Sequence, residues 1–252
     1  MHVLGIDIGG TGIKGAPVDT VTGEPTEERF RVETPHPATP DAVARCVGDV
    51  SSHFTWTGPV GITFPGVITR GTVRTAANME PAWIGVNAQM LFAKVLRTAD
   101  GAAPRVLNDA DAAGVAEIAH GAGRDRDGVV LMLTFGTGIG SALFLDGKLV
   151  PNTEFGHLEL HGKDAEDRAA ARVRDEKELS WDKWAKRVQE YLSLVEALLS
   201  PDLIIVGGGV SRHADKFLPL LDVHAEIVAA QLANTAGIVG AAMAVASSAV
   251  PS

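Results

Sequence analysis

The tetrapeptide Gly-Thr-Gly-Ile occurs twice, at Gly10–Ile13 and at Gly136–Ile139, half a chain apart. Each copy follows an apolar run, Leu4-Gly-Ile-Asp-Ile8 in the first case and Leu131-Met-Leu-Thr-Phe135 in the second, so Asp7 and Thr134 fall at equivalent places. A repeat of this kind predicts two copies of one strand–turn–strand unit. Glycines 9, 10 and 12, and again 136 and 138, allow a tight turn and let backbone N–H groups approach an anion with no Cβ in the way. The hydroxyls of Thr11 and Thr137 add donors. One glycine hairpin is equally well explained by turn geometry. Two copies, each after a Val/Leu/Ile strand, point to a pair of loops that grip one phosphate chain.

Around the repeat, strand-like runs at 3–8, 13–18, 29–33, 58–62 and 106–107 alternate with helical runs at 41–54 and 87–99. A second series follows: strands at 129–134 and 141–145, a helical tract from about 165 to 199, a strand at 203–206 and a terminal helix at 236–247. Pro35–Thr39 and Gly121–Gly128 read as loops. The pattern predicts two α/β domains with a boundary near Asn108: a small one over 1–108 and a larger one over 109–252. The small residues of Gly237-Ile-Val-Gly240 suit close packing, near a hinge or back on the N-terminal domain.

At 252 residues and 46% hydrophobic, the chain is long enough for one large core or two modest ones. No apolar run of about 18 residues occurs, and strand-like residues begin at once, which predicts a cytoplasmic protein without a membrane partner. The lone cysteine, Cys46, excludes an internal disulfide and any zinc cluster built on cysteines, and its periodic setting reads as a buried small apolar residue. A net charge of −9 argues against nucleic acid as a partner, so an anionic substrate must be met by local basic groups.

Four segments carry candidate chemistry. Asn108-Asp109 runs from a strand straight into a helix, where an Asp or Asn serves either as an N-cap or, in the Asp's case, as a general base. Glu154-Phe-Gly-His157 sets a carboxylate and an imidazole three residues apart. A metal site would need further ligands in fixed geometry, whereas hydrogen bonding to vicinal hydroxyls suits the pair; a solvated loop is the plain alternative. Gly207-Gly208-Gly209 ends a strand, where a phosphate or flat ligand can lie on bare backbone, or where the chain simply turns. The mixed charges between His161 and Arg187 fit a solvated helix laced with ion pairs, or a track for a polyanion.

Taken together, Asp7-Ile-Gly-Gly-Thr-Gly-Ile-Lys-Gly15, Asn108-Asp109, Phe135-Gly-Thr-Gly-Ile-Gly140, Glu154-Phe-Gly-His157, Gly207–Gly209 and Ala236-Gly-Ile-Val-Gly240 resemble the ROK family of sugar kinases. The match runs nearly the full length, in order. Within the family the chain is most similar to the short actinobacterial polyphosphate glucokinases, through Gly162-Lys-Asp-Ala-Glu166 and the lack of the zinc-binding cysteines that usually follow the Gly-His pair.

The resemblance implies an actin-like, hexokinase-type (ribonuclease H-like) fold, two α/β domains with mixed five-stranded sheets flanking a cleft. It implies Asp109 as the catalytic base, and Gly66, Asn78, Asn108, Glu154, His157 and Glu166 as glucose ligands beside it. The donor, inorganic polyphosphate or ATP, falls to Asp7, Gly9, Gly10, Thr11, Gly12, Lys14, Thr134, Gly136, Thr137, Gly138 and Gly207–Gly209. Mg²⁺ is expected at Asp7 through water, without zinc, in a homodimer. The rival readings are an ATP-dependent ROK hexokinase and a non-catalytic sugar-sensing ROK protein. Regulators of that family carry a DNA-binding segment ahead of the first phosphate loop, which here begins almost at the first residue.

Overall fold

The computed structural model describes residues 1–76, 79–99 and 101–247, and the chain divides into two compact units. Unit 1 comprises residues 1–120 together with the chain from Asn234 onward; unit 2 comprises 121–233.

Unit 1 is built on strands β1 (His2–Ile8), β2 (Gly12–Asp19), β3 (Glu24–Pro25), β4 (Phe30–Glu33) and β5 (Val60–Phe64), a small hairpin β6 (Ile68–Thr69) and β7 (Thr72–Val73), and β8 (Arg105–Asn108). Its main sheet runs β3-β2-β1-β5-β8, with β4 also on β2. β1 and β2 are antiparallel; β1, β5 and β8 are parallel. The helices are α1 (Pro40–His53), α2 (Ala88–Ala93) and α3 (Asp109–His120). The sheet has six strands where the resemblance implies five, because β3 and β4 both pair with β2.

Unit 2 contains β9 (Val129–Phe135), β10 (Ile139–Leu145), β11 (Lys148–Val150), the short pair β12 (Glu159–Leu160) and β13 (Lys163–Asp164), β14 (Leu203–Gly207) and β15 (Glu226–Ala229). The sheet order β11-β10-β9-β14-β15 repeats the scheme of unit 1, with an antiparallel hairpin first and parallel strands after it. Helices α4 (Glu166–Ala169), α5 (Ala171–Glu176) and α6 (Trp181–Leu199) belong here, and the terminal helix α7 (Ala236–Ala246) returns to unit 1. This duplicated α/β arrangement is the actin-like, hexokinase-type fold.

The division falls after α3 rather than before it, and α7 joins α3 in unit 1, making that unit the larger. The cause is close backbone approach. A Cβ on Gly240 would overlap the Ala112 carbonyl of α3, and one on Gly61 of β5 would overlap the Ala241 carbonyl of α7. Helices brought together through glycine cannot part without exposing both backbones.

Two helices depart from the periodic pattern. The run at 87–99 keeps its cap, Asn87 Oδ1 accepting from the Met90 N–H at 2.8 Å, but stops at Ala93, after which the bonds turn to i→i+3 type through Lys94 and Val95. The tract at 165–199 is cut into three. Ala170 is extended (φ −58°, ψ 153°) and Glu178 is left-handed (φ 48°). The first break is stabilised from the core: the indole Nε1 of Trp184 donates to the carbonyls of Ala169 (3.0 Å) and Ala170 (3.3 Å). No helical periodicity encodes that bond.

Candidate active site

The first hairpin turns between Ile8 and Ile13, its base closed by Gly9 N–H donating to the Gly12 carbonyl at 3.1 Å. Register sets Asp7 opposite Lys14 on β2 and beside Thr63 on β5. The side chains follow: Lys14 Nζ lies 3.1 Å from Asp7 Oδ2, and the Thr63 hydroxyl donates to Asp7 Oδ1 at 2.7 Å. The carboxylate also faces Gly237, where a Cβ would sit 2.7 Å from it, so the first turn of α7 must be bare there. Thr11 and Gly10 at the tip are exposed, and Arg31 of β4 holds the tip by donating to the Thr11 carbonyl at 2.6 Å.

The second hairpin is closed in the same way, Gly136 N–H donating to the Gly138 carbonyl at 3.0 Å. An arginine again holds the threonine: Arg172 donates from its backbone to the Gly136 carbonyl and from Nε to the Thr137 carbonyl, both at 3.0 Å. The break between α4 and α5 puts Arg172 there. Thr134 is in register with Gly207, and Gly208, at φ 82°, lies so close to Phe135 that a Cβ would overlap its carbonyl. The triple glycine and the second hairpin are therefore one surface. It opens into a pocket of about 770 Å³ lined by Gly136, Thr137, Arg172, Trp181 and Gly209 among others.

Glu154, His157 and Glu166 come together in unit 2. Glu166, first residue of α4, accepts from the Ile139 N–H at 3.0 Å and lies against Gly138 and Gly156. His157 ends a short turn over 155–157; its Nδ1 is 2.7 Å from Asp164 Oδ2 and its Nε2 is 3.9 Å from Glu154 Oε2. The Asp164 hydrogen bond raises the imidazole above its ordinary value, with further support from Glu166 and Glu154 against desolvation. Desolvation also raises the Glu154 carboxyl, opposed by His157 and reinforced by Glu166. Buried Ser141 anchors the segment, donating to the Thr153 carbonyl at 2.7 Å and accepting from Phe155 N–H at 3.0 Å.

In unit 1 the cap of α3 is Asn108. Its Oδ1 accepts from the N–H groups of Ala110 (2.7 Å) and Asp111 (3.1 Å), while its Nδ2 donates to the Gly66 carbonyl at 3.2 Å. Asp109 is the first helical residue and is exposed, with Oδ1 2.9 Å from the Ala110 nitrogen. Asn108 and Gly66 are thus brought together, and the capping duty falls to the buried Asn. Asn78 lies outside the described residues.

Sequence reasoning missed Thr63, Arg31, Arg172, Asp164 and Ser141. Arg31 and Arg172 sit at some remove in sequence from the loops they hold, without motif spacing; Asp164 lies inside the Gly-Lys-Asp-Ala-Glu segment, which marked it without a role.

Among the described residues no group of three or more His, Cys, Asp or Glu side chains is placed to hold a metal ion. Asp7 has one oxygen engaged by Thr63 and the other by Lys14, so contact through water is the way this carboxylate could meet a cation. No helix of the described residues is long and apolar enough to cross a membrane.

The sequence model of the ROK family matches residues 3–169. The polyphosphate glucokinase of Mycobacterium tuberculosis (strain H37Rv) is 53% identical over 243 residues, which cover 96% of this chain and 91% of that protein. The solved structure of an inorganic polyphosphate/ATP-glucomannokinase from Arthrobacter sp. strain KM is similar at a TM-score of 0.90 and 50% identity, covering 97% of this chain and 98% of the other. A ROK family glucokinase from Streptomyces griseus, solved with glucose and AMPPNP, shares the fold at a TM-score of 0.80 and 24% identity, over 96% of this chain and 98% of the other.

Proposed function

The chain belongs to the ROK family, and from that premise we propose that it transfers a terminal phosphoryl group from inorganic polyphosphate, with ATP as a second donor, to the 6-hydroxyl of glucose. One observation carries the choice of substrates: 53% identity to a polyphosphate glucokinase across nearly the whole chain.

Asp109 is the general base. It accepts the proton of the 6-hydroxyl as that oxygen bonds to the terminal phosphorus; the bridging P–O bond breaks, and the shortened chain leaves with its electron pair. The division of labour at the start of α3 supports this role, since Asn108 caps the helix and the exposed Asp109 does not have to. Glu154, His157 and Glu166 take the sugar hydroxyls, with Gly66, Asn78 and Asn108. A carboxylate beside an imidazole supplies both acceptors and a donor for vicinal hydroxyls.

The donor's phosphates lie on the glycine hairpins, Gly9–Gly12 and Gly136–Gly138, with Thr134 and Gly207–Gly209 completing the second. Phosphoryl transfer is dominated by positioning and charge neutralisation, which Lys14 and the backbone N–H groups provide. Mg²⁺, when bound, supplies further neutralisation of the phosphates, and Asp7 holds it through water. The resemblance carries with it a cytoplasmic homodimer.

The test is glucose 6-phosphate formation by purified protein with Mg²⁺ and nucleotide-free polyphosphate, beside ATP and beside Asp109→Ala. Formation from polyphosphate that disappears in the variant is expected. Turnover with ATP alone would move the protein to the ATP-dependent hexokinases, and turnover with neither would point to a different sugar or a binding role.

A further inference from the structure

The pocket at the second hairpin is lined by an aromatic ring that is already occupied. Trp181 lies nearly parallel to Phe217 (centroids 6.0 Å, 13°) and edge-on to Trp184. The Arg174 guanidinium covers the ring at 3.7 Å from its centroid, with Lys216 Nζ at 5.8 Å. A ring with these partners offers no ready face to a nucleobase, which binds proteins chiefly by stacking.

The charge of the same walls suits a bare phosphate chain. Arg172, Arg174, Arg212 and Lys216 line the pocket against two carboxylates, Asp175 and Glu176. Both acids are committed: Asp175 accepts from Arg174 at 2.8 Å and Glu176 lies 3.8 Å from Arg172. Among the described residues neither Arg212 nor Lys216 is in an ion pair, and the buried Nε of Arg174 has no hydrogen-bond partner. Unmatched cations in a chain of net charge −9 are the local basic groups that an anionic substrate requires. Since Thr137 and Gly136 line the same pocket, a chain seated there continues directly from the second phosphate hairpin.

We propose that this pocket holds the inorganic phosphate chain beyond the group being transferred, and that Arg174, by covering Trp181, selects a bare phosphate chain over a nucleoside triphosphate. The proposal rests on the phosphoryl-donor reading above and adds the residues that set donor preference.

Two variants test it, Arg174→Ala and the exposed double variant Arg212→Ala/Lys216→Ala. Each is measured for binding of inorganic polyphosphate and of AMPPNP by tryptophan fluorescence without glucose, and for KM with polyphosphate and with ATP. The double variant is expected to raise KM for polyphosphate roughly tenfold, the scale of one lost charge-assisted contact, with a smaller change for ATP. Arg174→Ala is expected to weaken polyphosphate and strengthen AMPPNP, moving the donor ratio toward the nucleotide by about tenfold or more. Equal loss with both donors in Arg174→Ala, or unchanged polyphosphate affinity in the double variant, overturns the proposal. Should Arg174→Ala fail to fold, the double variant alone decides whether the pocket binds the chain. Polyphosphate binding without glucose 6-phosphate formation would defeat the proposed reaction and leave the pocket assignment standing.

Discussion

The two hairpins share one backbone and differ in charge. In unit 1, register brings Asp7, Lys14 and Thr63 side by side; at the same three positions unit 2 has Thr134, Gly140 and Gly207. The first hairpin therefore carries an ion pair beneath its glycine turn, and the second carries a hydroxyl between two bare backbones. Basic groups reach the second hairpin from outside the sheet, from Arg172 on α5. The same strand–turn–strand scaffold thus carries fixed charge within its strands in one copy and bare backbone in the other. What stayed constant is the device that steadies the tip: an arginine on the threonine carbonyl, Arg31 in one copy and Arg172 in the other.

The largest expected effect lies outside both hairpins. Asp109→Ala should reduce kcat by roughly 10²–10⁴-fold, the usual contribution of a general base, while glucose binding measured by calorimetry persists. A variant that loses glucose affinity in proportion would make Asp109 a binding residue. The comparison itself is tested by Lys14→Met against Arg172→Met. If fixed charge belongs to the first hairpin, Lys14→Met should lower kcat about 10²-fold, comparable to losing one preorganised donor at a reacting centre. Arg172→Met should act mainly on donor KM, by roughly tenfold. Equal effects on the same kinetic constant would erase the distinction.

A smaller, structural contrast concerns the two buried indoles. Trp83 in unit 1 donates to the Ala38 carbonyl at 2.8 Å; Trp184 in unit 2 donates to two carbonyls at the break that delivers Arg172. Either Trp→Phe change leaves buried acceptors unpaired and should cost about 1–3 kcal/mol in denaturant melts. Only Trp184→Phe should also raise donor KM, because the break and Arg172 move together. A donor effect from Trp83→Phe would remove that link.

Much of this was legible because it is local. A strand, a glycine turn and a second strand are written in consecutive residues, so the repeat disclosed both hairpins and made Asp7 and Thr134 equivalent positions of the two. The Asn108-Asp109 junction was legible as a helix start, but which residue caps and which is left exposed depended on the Gly66 carbonyl, distant in sequence. Long-range satisfaction was invisible throughout. The helical tract at 165–199 was broken by an indole bond from within α6, and the boundary at Asn108 shifted because Gly240 meets Ala112, and Gly61 meets Ala241, only in three dimensions. Arg31 and Arg172 escaped notice for the same reason.

The smallest expected effect belongs to His157, which has no counterpart at the first hairpin. The short hydrogen bond to Asp164 favours the charged imidazole, so its pKa in the folded protein lies above the ordinary 6.5. The stabilisation from that pair is complete below 6.5 and is lost as pH rises through the raised value. Because both side chains are about half exposed, solvent screens the pair and the gain in stability is small. The sharper readout is the titration of His157 by NMR: Asp164→Asn should bring its midpoint down toward 6.5. With Nδ1–H committed to Asp164, Nε2 is a donor below that midpoint and an acceptor above it, so a sugar hydroxyl held there must reverse its hydrogen bond. Glucose affinity should therefore change across the same midpoint and shift with it in Asp164→Asn. An affinity that ignores the shifted titration would remove His157 from the sugar site and leave Glu154 and Glu166 to hold the ring.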